Sequence, residues 1–235
     1  MSECALSLGV GRLLVADREA FRQTMLRAVP RWYSPWGHLA GTAGVGLVAL
    51  GLSLFNVDEL ALAELTTIPV VLLLANLFEW YVHKNLMHRR SRLLPVLYDR
   101  HTPEHHRIFH HDDMAIRSAR ELRLVLIPAM GVLGIVLSVV PAALLAGFLI
   151  TPNVGWLVLS SSAFCVVGYE LTHLCYHLPE RAFIYRLGLV RVLREQHARH
   201  HDPRLMQRFN FNVTFPLGDA IFGTLAPAQT FSADG

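Results

Sequence analysis

The sequence predicts an all-α integral membrane protein with four transmembrane helices arranged in two hairpins. Two observations predict this fold class. Hydrophobic residues make up 53% of the 235 residues and charged residues only 17%, whereas a soluble domain usually carries about a quarter charged residues. The charges that remain fall in blocks separated by long uncharged stretches, as in polytopic membrane proteins. The length predicts one domain.

The first predicted hairpin covers residues 32–82. The stretch 32–57 contains no Asp, Glu, Lys or Arg and is long enough for one span of about 20 residues. It opens with three aromatic residues that suit a lipid interface, Trp32, Tyr33 and Trp36. A second apolar run extends from Leu65 to Val82. The loop between the runs carries acidic residues and no basic one, Asp58, Glu59 and Glu64. We therefore expect this loop on the outer side of the membrane.

The second predicted hairpin covers residues 124–172. The stretch 124–169 contains no charged residue and is too long for one span. Pro141 and the turn Thr151-Pro152-Asn153 both offer a break between two helices. The N-terminal segment 1–31 lacks the continuous apolar region of a cleavable signal peptide. We expect it to be an amphipathic cytoplasmic segment at the membrane surface.

The placement of the positive charge argues against nucleic acid as a partner. The net charge is +3 and the pI is near 9.0, yet the arginines are confined to three blocks between apolar stretches, Arg12–Arg31, Arg89–Arg123 and Arg181–Arg208. Such blocks mark the cytoplasmic side of a membrane protein. The three cysteines have neither an even count nor a C-x-x-C spacing, so the sequence predicts no disulfide framework and no thiolate zinc site.

Ten of the 13 histidines fall into four short clusters, two after each predicted hairpin. The clusters are His83 and His88; His101, His105 and His106; His173 and His177; and His197, His200 and His201. Imidazole is the commonest protein ligand for zinc, iron and copper. One ion rarely takes more than four or five protein ligands. Ten imidazoles therefore predict a binuclear metal centre.

The spacing within the clusters suits helical presentation of ligands. Residues four apart lie on one face of an α-helix, and three pairs have this spacing, His101/His105, His173/His177 and His197/His201. Adjacent histidines point about 100° apart on an α-helix, so each H-H pair can serve two neighbouring ions. The five-residue separation of His83 and His88 is a poorer helical pair, and we expect the helix to fray or kink there.

Several further residues receive weaker assignments. His110 and His111 extend the second cluster, and we expect them at the surface or behind the ligands. His38 is expected to be a polar anchor at the membrane interface, and Cys175 to point away from the shared face of its flanking histidines. Glu79 and Glu170 end apolar spans, where an unpaired carboxylate is costly. They either orient metal-bound imidazoles or extend to the interface.

With these clusters, the chain resembles the fatty acid hydroxylase/sterol desaturase superfamily of integral-membrane oxygenases. That superfamily carries, in order, H-x(3–4)-H, H-x(2–3)-H-H, H-x3-H and H-x(2–3)-H-H. The C-terminal stretch FNVTFPLGDAIFGT, residues 211–224, resembles its N-F-G-V-T…W-D-x-x-F-G-T ending. The resemblance covers about residues 76 to 225. In this chain Gly218 stands where an aromatic residue is usual, and the second cluster is H-x3-H-H where H-x2-H-H is frequent.

The resemblance implies a cytosolic helical cap that holds two metal ions on the four spans. The ions are normally taken as iron, with zinc as the alternative in isolated protein, and O2 is the co-substrate. The ten clustered histidines would be the ligands, with Glu79, Glu170, Asn212 and Asp219 supporting them. The expected reaction is hydroxylation of a lipid C–H, such as one in a fatty acyl chain. Sterol or isoprenoid oxidation and lipid desaturation remain open alternatives.

The resemblance also implies partners that the chain itself lacks. No haem, flavin or dinucleotide motif is apparent, so electrons would come from a ferredoxin, or from cytochrome b5 with its reductase. The lipid substrate would enter from the bilayer. A metal transporter or other metal-binding membrane protein is the alternative of another class, but transporters place ligands within their spans. Here the clusters lie at the ends of the predicted spans.

The predicted organisation is thus one membrane domain over residues 1–235. The N-terminal segment 1–31 precedes the first hairpin, 32–82, and histidine segment one, 83–123. The second hairpin, 124–172, precedes histidine segment two with the C-terminal cap, 173–235. The Arg, Ala and Leu bias with a single lysine favours a bacterial inner membrane, with the endoplasmic reticulum as the alternative. The histidine clusters are expected on the cytoplasmic side.

Overall fold

A computed structural model describes residues 3–227 and the side chains from residue 16 onward. Over this range the protein is all-helical, with no β-strand. The α-helices are α1 (Glu3–Ala28), α2 (Pro35–Phe55), α3 (Thr67–Val82), α4 (Pro95–Arg100), α5 (His106–Ile108), α6 (Leu122–Val125), α7 (Ala129–Leu149), α8 (Pro152–Tyr176), α9 (Gly188–His200) and α10 (Leu217–Ile221). Two π-helical turns, His83–Met87 and His101–His105, interrupt this pattern.

Four helical segments are long and apolar enough to cross a membrane. They are Pro35–Phe55, Leu62–Met87, Ala119–Leu149 and Pro152–Tyr176. Each exceeds the roughly 20 residues that a bilayer requires. The predicted all-helical membrane fold with four spans is therefore confirmed.

The break in the second uncharged stretch falls at the Thr151 turn. The Thr151 hydroxyl accepts a hydrogen bond from the Val154 N–H at 3.3 Å, and Pro152 occupies the first turn of α8. Both features favour the start of a helix. Pro141, the other candidate break, lies inside α7. Membrane helices tolerate proline because neighbouring groups satisfy the freed backbone atoms.

Helix α8 is the central helix of the bundle and packs against α2, α3 and α7. Small residues allow these close contacts. A Cβ atom added to Gly155 would lie 2.7 Å from the carbonyl oxygen of Ala143 on α7. One added to Gly46 on α2 would lie 2.3 Å from Cγ2 of Val167. The absence of a side chain at Gly155 thus lets α8 approach α7, and the absence of one at Gly46 lets α2 accommodate Val167 of α8.

The acidic loop after α2 is tied to the turn between α7 and α8. The Asn153 side-chain amide donates to Oε2 of Glu64 at 3.0 Å and to the Asp58 carbonyl at 2.6 Å. The Thr151 hydroxyl also donates to Glu64. These bonds join the two hairpins at the end of the bundle opposite the histidines.

Helix α1 packs on the histidine-bearing segment of the chain. The Arg22 guanidinium is buried and donates to Oε2 of Glu121 at 2.8 Å and to the Ile108 carbonyl at 3.3 Å. Phe21 and Met25, on the apolar face of the helix, pack against the buried cluster that includes Ile108. The apolar face of the N-terminal segment, as far as its side chains are described, therefore covers protein.

Candidate metal centre

The ten clustered histidines come together in two groups of five at one end of the bundle. In each group, one potential ligand atom from every histidine lies within 4.8 Å of the others, and all ten residues are buried. The first group is His83, His88, His101, His106 and His200. The second group is His105, His173, His177, His197 and His201. This is the ligand supply that two metal ions would need.

The first group is built on the two π-helical turns. A π-helix bonds residue i to residue i+5, and the His88 N–H donates to the His83 carbonyl at 3.1 Å. The His106 N–H donates to the His101 carbonyl in the same way. Residues five apart therefore share a face. The Nε2 atom of His101 lies 2.8 Å from that of His83 and 3.0 Å from that of His106.

These turns change two details of the sequence interpretation. The helix does not simply fray at His83. It forms a π-helical turn, on which two residues five apart lie on the same face, so His83 and His88 are well placed as a pair. His101 and His105, predicted to share an α-helical face, are assigned to different groups. The π turn at His101–His105 rotates His106 onto the position where α-helical geometry would have placed His105.

The second group is built mainly on ordinary α-helical spacing. His173 and His177 lie at the end of α8, with their Nε2 atoms 3.3 Å apart. His197 and His201 lie at the end of α9, with their Nε2 atoms 3.0 Å apart. His105 completes the group. The centroid of its ring lies 4.9 Å from the centroid of the His173 ring. Both hairpins therefore contribute to this group.

Each H-H pair is divided between the two groups. His105 and His106 present their rings at 90° to one another, and His200 and His201 at 88°. His106 and His201, from different groups, stack with centroids 4.2 Å apart. The two groups therefore adjoin and form one buried centre.

Backbone carbonyls fix the outward-facing nitrogens of five of the ten grouped histidines. The Nδ1 atoms contact carbonyls at 3.0 Å for His105 with Leu124, 2.7 Å for His177 with Met114, 2.9 Å for His200 with Phe209 and 2.6 Å for His201 with Phe109. His83 contacts the Phe211 carbonyl in the same way. Because a carbonyl only accepts, Nδ1 must carry the proton. The Nε2 lone pair is then free for a metal.

Burial keeps the imidazoles neutral. Desolvation lowers the pKa of His105 and of His200 to about 4, and that of His88 to about 2. It lowers the pKa of five others well below their usual range, His101, His106, His177, His197 and His201. The lone pairs are therefore available at neutral pH, as metal ligation requires.

Three of the residues predicted to support the ligands make hydrogen bonds around the Phe211 carbonyl. These residues, Glu79, Asn212 and Asp219, form the C-terminal brace. Asp219 accepts from the N–H groups of Phe211 and Asn212 at 2.9 and 2.8 Å. Glu79 accepts from the Thr214 N–H at 3.0 Å. The Asn212 side chain donates to the Asn76 carbonyl at 2.9 Å. These groups hold the backbone whose Phe211 carbonyl accepts the hydrogen bond from His83 Nδ1, and so they act on His83 through the chain.

Gly218 is part of the same brace. A Cβ atom there would lie 2.7 Å from Oδ1 of Asn212 and 2.9 Å from Cβ of Trp80. The Trp80 indole donates to the Thr224 hydroxyl at 2.9 Å and stacks on Phe222 with centroids 4.1 Å apart. The glycine at the usual aromatic position therefore makes room for an aromatic side chain from α3.

Glu170 is placed differently from the sequence expectation. Its carboxylate is buried on α8 and accepts from the Ile127 N–H at 2.8 Å. This bond fixes the start of the chain into α7. The other oxygen, Oε1, is buried without a hydrogen-bond partner among the described residues.

Two side chains near the centre were not identified from the sequence. The Thr102 hydroxyl lies 3.3 Å from Nδ1 of His88 and donates to the Met87 carbonyl at 2.7 Å. The Gln207 amide lies 3.4 Å from the same nitrogen. His88 is thus held by side chains where five other histidines of the two groups have backbone carbonyls. Neither residue belongs to a histidine motif, so the sequence offered no signal for them.

The remaining histidines lie outside both groups. The His38 Nδ1 atom is 2.8 Å from the Tyr33 hydroxyl, near the start of α2. His110 forms an isolated backbone bridge with Asp113. Cys175 also lies outside both groups and is a free thiol.

These features define an all-helical protein with four candidate membrane spans and a buried histidine-rich site that could hold metal. A family model described as fatty acid hydroxylase matches residues 68–224. The chain belongs to this fatty acid hydroxylase family. No curated protein matches the chain.

A solved structure described as full-length Scs7p, with only the hydroxylase domain visible, is similar in fold. It is 20% identical in sequence, with a TM-score of 0.52. The match covers 83% of this chain and 67% of that chain. At this identity the similarity concerns the fold alone. Family membership supports an oxidoreductase of the lipid hydroxylase type.

Proposed function

We propose that this protein is a membrane-bound di-iron oxygenase that hydroxylates a C–H bond of a lipid, such as a fatty acyl chain. The observation that carries the proposal is the division of ten buried histidines into two adjoining groups of five. The proposed reaction consumes the lipid R–H, O2, two electrons and two protons, and yields R–OH and water.

The donor set fits a pair of transition-metal ions. His105 has a buried Nε2 atom without a hydrogen-bond partner among the described residues, and it points into the second group. An orphaned buried nitrogen is costly, and a metal ion would satisfy it. The first group would hold one ion and the second group the other. Zinc also accepts imidazole but has no redox chemistry, so we assign iron to the working enzyme.

Bound iron would supply the redox chemistry that activates O2 against an inert C–H bond. The protein's own residues have other tasks. The carbonyls of Leu124, Phe209 and Phe211 hold the ligand rings in one orientation and one tautomer. Burial of the histidines excludes bulk water from the centre.

The position of the centre suits a substrate that stays in the bilayer. His83 belongs to the helical span Leu62–Met87, and His173 to the span Pro152–Tyr176. The ligands thus begin where apolar helices end. An acyl chain could approach between the spans without crossing water, while its headgroup remained at the interface.

We also propose an external electron donor and an inner-membrane location. The donor would be a ferredoxin, or cytochrome b5 with its reductase. The exposed Arg107 and Arg208, next to His106 and Phe209 in the chain, would attract an acidic protein. The loops at the opposite end carry Asp58, Glu59 and Glu64 and no basic residue. On the basis of the positive-inside rule we propose that the histidines face the cytoplasm.

The test is oxidation of lipid by the purified protein in nanodiscs. The protein would be loaded anaerobically with ferrous iron, given a ferredoxin and its reductase, and exposed to isotope-labelled O2. Mass spectrometry of the lipids should show one labelled hydroxyl oxygen per product. The His38→Ala variant, altered outside both groups, should behave as the parent, and His200→Ala should give no product.

Other results would redirect the assignment. A new double bond without label would indicate a desaturase on the same site. Labelled product confined to added sterols or isoprenoids would replace the acyl substrate. Metal-dependent ion flux without any oxidised lipid would favour the transporter alternative and contradict the proposal.

A further inference from the structure

A strip of exposed apolar and basic side chains lies beside the metal centre, outside the four spans. It covers residues 181–192 and is called the apolar–basic strip here. Its apolar members are largely exposed, Phe183 at 72%, Leu187 at 53%, Leu189 at 63% and Val192 at 62%. Arg181, Arg186 and Arg191 alternate with them and are also exposed. Outside a span, such a surface requires a partner.

The position of the strip relative to the bilayer follows from hydrogen bonds made by Tyr185, within the strip, and by Arg194, two residues after it. The Tyr185 hydroxyl contacts the carbonyl oxygens of Cys175 at 2.6 Å and Leu178 at 2.9 Å. The Arg194 guanidinium donates to the Tyr176 carbonyl at 3.3 Å. Tyr176 is the last residue of the span formed by α8. The strip therefore lies next to the end of α8, at the level where the candidate span ends.

The chemistry of the strip matches a membrane surface. Interfacial segments bury Phe and Leu side chains about 5–10 Å into the headgroup boundary and keep arginines at the phosphates. The Arg186 guanidinium lies 4.7 Å from the centroid of the Phe183 ring, so charge and apolar surface are adjacent. No acidic residue interrupts residues 181–192. Anionic phospholipid headgroups would complement this surface.

A second segment repeats the pattern at the same end of the bundle. It directly follows the span Leu62–Met87. Leu93 is 90% exposed and Val96 54% exposed, and Arg89 and Arg92 are exposed beside them. Because both spans end at the metal centre, both segments lie at one membrane face.

We propose that the apolar–basic strip seats the histidine-bearing region on an anionic phospholipid surface. The leucine, valine and phenylalanine side chains enter the acyl boundary, and the three arginines bind lipid phosphates. This contact holds the end of α9, which carries His197 and His200, at a fixed height above the bilayer. The inference depends on the strip alone and is independent of the reaction assigned to the centre.

The test is site-specific fluorescence quenching in nanodiscs. A single Leu189→Cys variant, with the native Cys4, Cys165 and Cys175 changed to serine, would carry an environment-sensitive dye. The nanodiscs would contain phosphatidylcholine and phosphatidylglycerol, with a nitroxide on the headgroup of one or the other. We expect blue-shifted dye emission, and quenching by labelled phosphatidylglycerol at least about fivefold stronger than quenching by labelled phosphatidylcholine. Fivefold is about the factor that one basic side chain contributes near an anionic surface.

Two controls separate this contact from general charge and general lipid exposure. The R181Q/R186Q/R191Q variant should lose the preference for phosphatidylglycerol. R107Q/R117Q/R204Q, with the same loss of net charge, should keep it. A dye on Leu47→Cys, an exposed position within α2, should show no headgroup preference.

Quenching that is weak and equal with both lipids would overturn the proposal, because the strip would then face water. The comparison of the two lipids in the parent chain decides this even if the arginine variants fail to fold. Protection of the dye by an acidic soluble protein, in place of lipid, would assign the strip to that partner and also contradict the proposal.

Discussion

At the scale of single residues, six of the ten grouped histidines have a hydrogen-bond partner for Nδ1, the nitrogen that faces away from the group. Five imidazoles contact backbone carbonyls through Nδ1, so their orientation depends on the path of the main chain. His88 instead contacts the Thr102 hydroxyl and the Gln207 amide. His88 is therefore a candidate ligand whose support can be changed by mutation without altering the backbone.

Thr102 provides the most selective test of this support. Thr102→Val removes the acceptor for His88 Nδ1–H while keeping the shape of the side chain. We expect metal affinity of the first group to fall by about 10- to 100-fold, the usual effect of losing a partner of a metal-bound histidine. Chelator competition would measure it. Thr102→Ser keeps the hydroxyl and should retain the parental affinity; an equal loss in both variants would contradict the assignment.

His105 tests the composition of the second group. His105→Ala removes the imidazole whose Nε2 has no other partner among the described residues. We expect roughly one metal ion per chain to be lost, together with hydroxylation, while the first group keeps its ion. Elemental analysis and product assays would measure both. His38→Ala is the matched control and should preserve metal and activity; full activity of His105→Ala would rule out its ligand role.

At the scale of elements, the π turns decide which histidines belong together. A double variant, Met87→His with His88→Leu, moves one imidazole from the fifth to the fourth position after His83. On an α-helix this would improve the pair, whereas on the π turn it should misplace the ligand. We expect loss of the ion bound by the first group, measured as metal content. Restored or improved metal binding would show that the turn is α-helical in solution.

The contact between α7 and α8 depends on Gly155. Gly155→Ala would place a methyl group 2.7 Å from the Ala143 carbonyl, and overpacking of this kind costs about 1–3 kcal/mol. Thermal unfolding in detergent should show a lower midpoint. Gly168→Ala makes the same change on the same helix where no atom lies within 4 Å. It should be neutral, and equal effects of the two substitutions would contradict the packing.

At the scale of the whole molecule, α1 is joined to the histidine-bearing region by a buried ion pair. Arg22 and Glu121 have side chains only 1% and 2% exposed. Removing one partner of such a pair leaves an uncompensated buried charge, so Arg22→Met should cost about 3–5 kcal/mol in unfolding free energy. Arg18→Met breaks a pair whose Asp112 partner is 53% exposed and should cost under about 1 kcal/mol. Similar losses would contradict the distinction.

The sequence predicted the features that depend on composition and local spacing. Long apolar stretches specified the four spans, and the histidine count specified two groups of candidate ligands. The partition of those ligands was predicted less well, because a five-residue spacing is unfavourable on an α-helix and only the π turns make it a pair. Carbonyl partners such as Phe109 and Met114 carry no side-chain signal. The contact of Arg22 with Glu121, 99 residues away, requires the assembled fold.

The two adjoining groups of histidines predict a centre for two ions in one chain. The most direct measurement is the metal content of protein purified in detergent without chelators or a histidine tag, after anaerobic loading with ferrous iron. Five buried imidazoles in each group predict about two ions per chain, one for each group. Less than one ion per chain after loading would contradict the binuclear centre, and with it the proposed oxygenase.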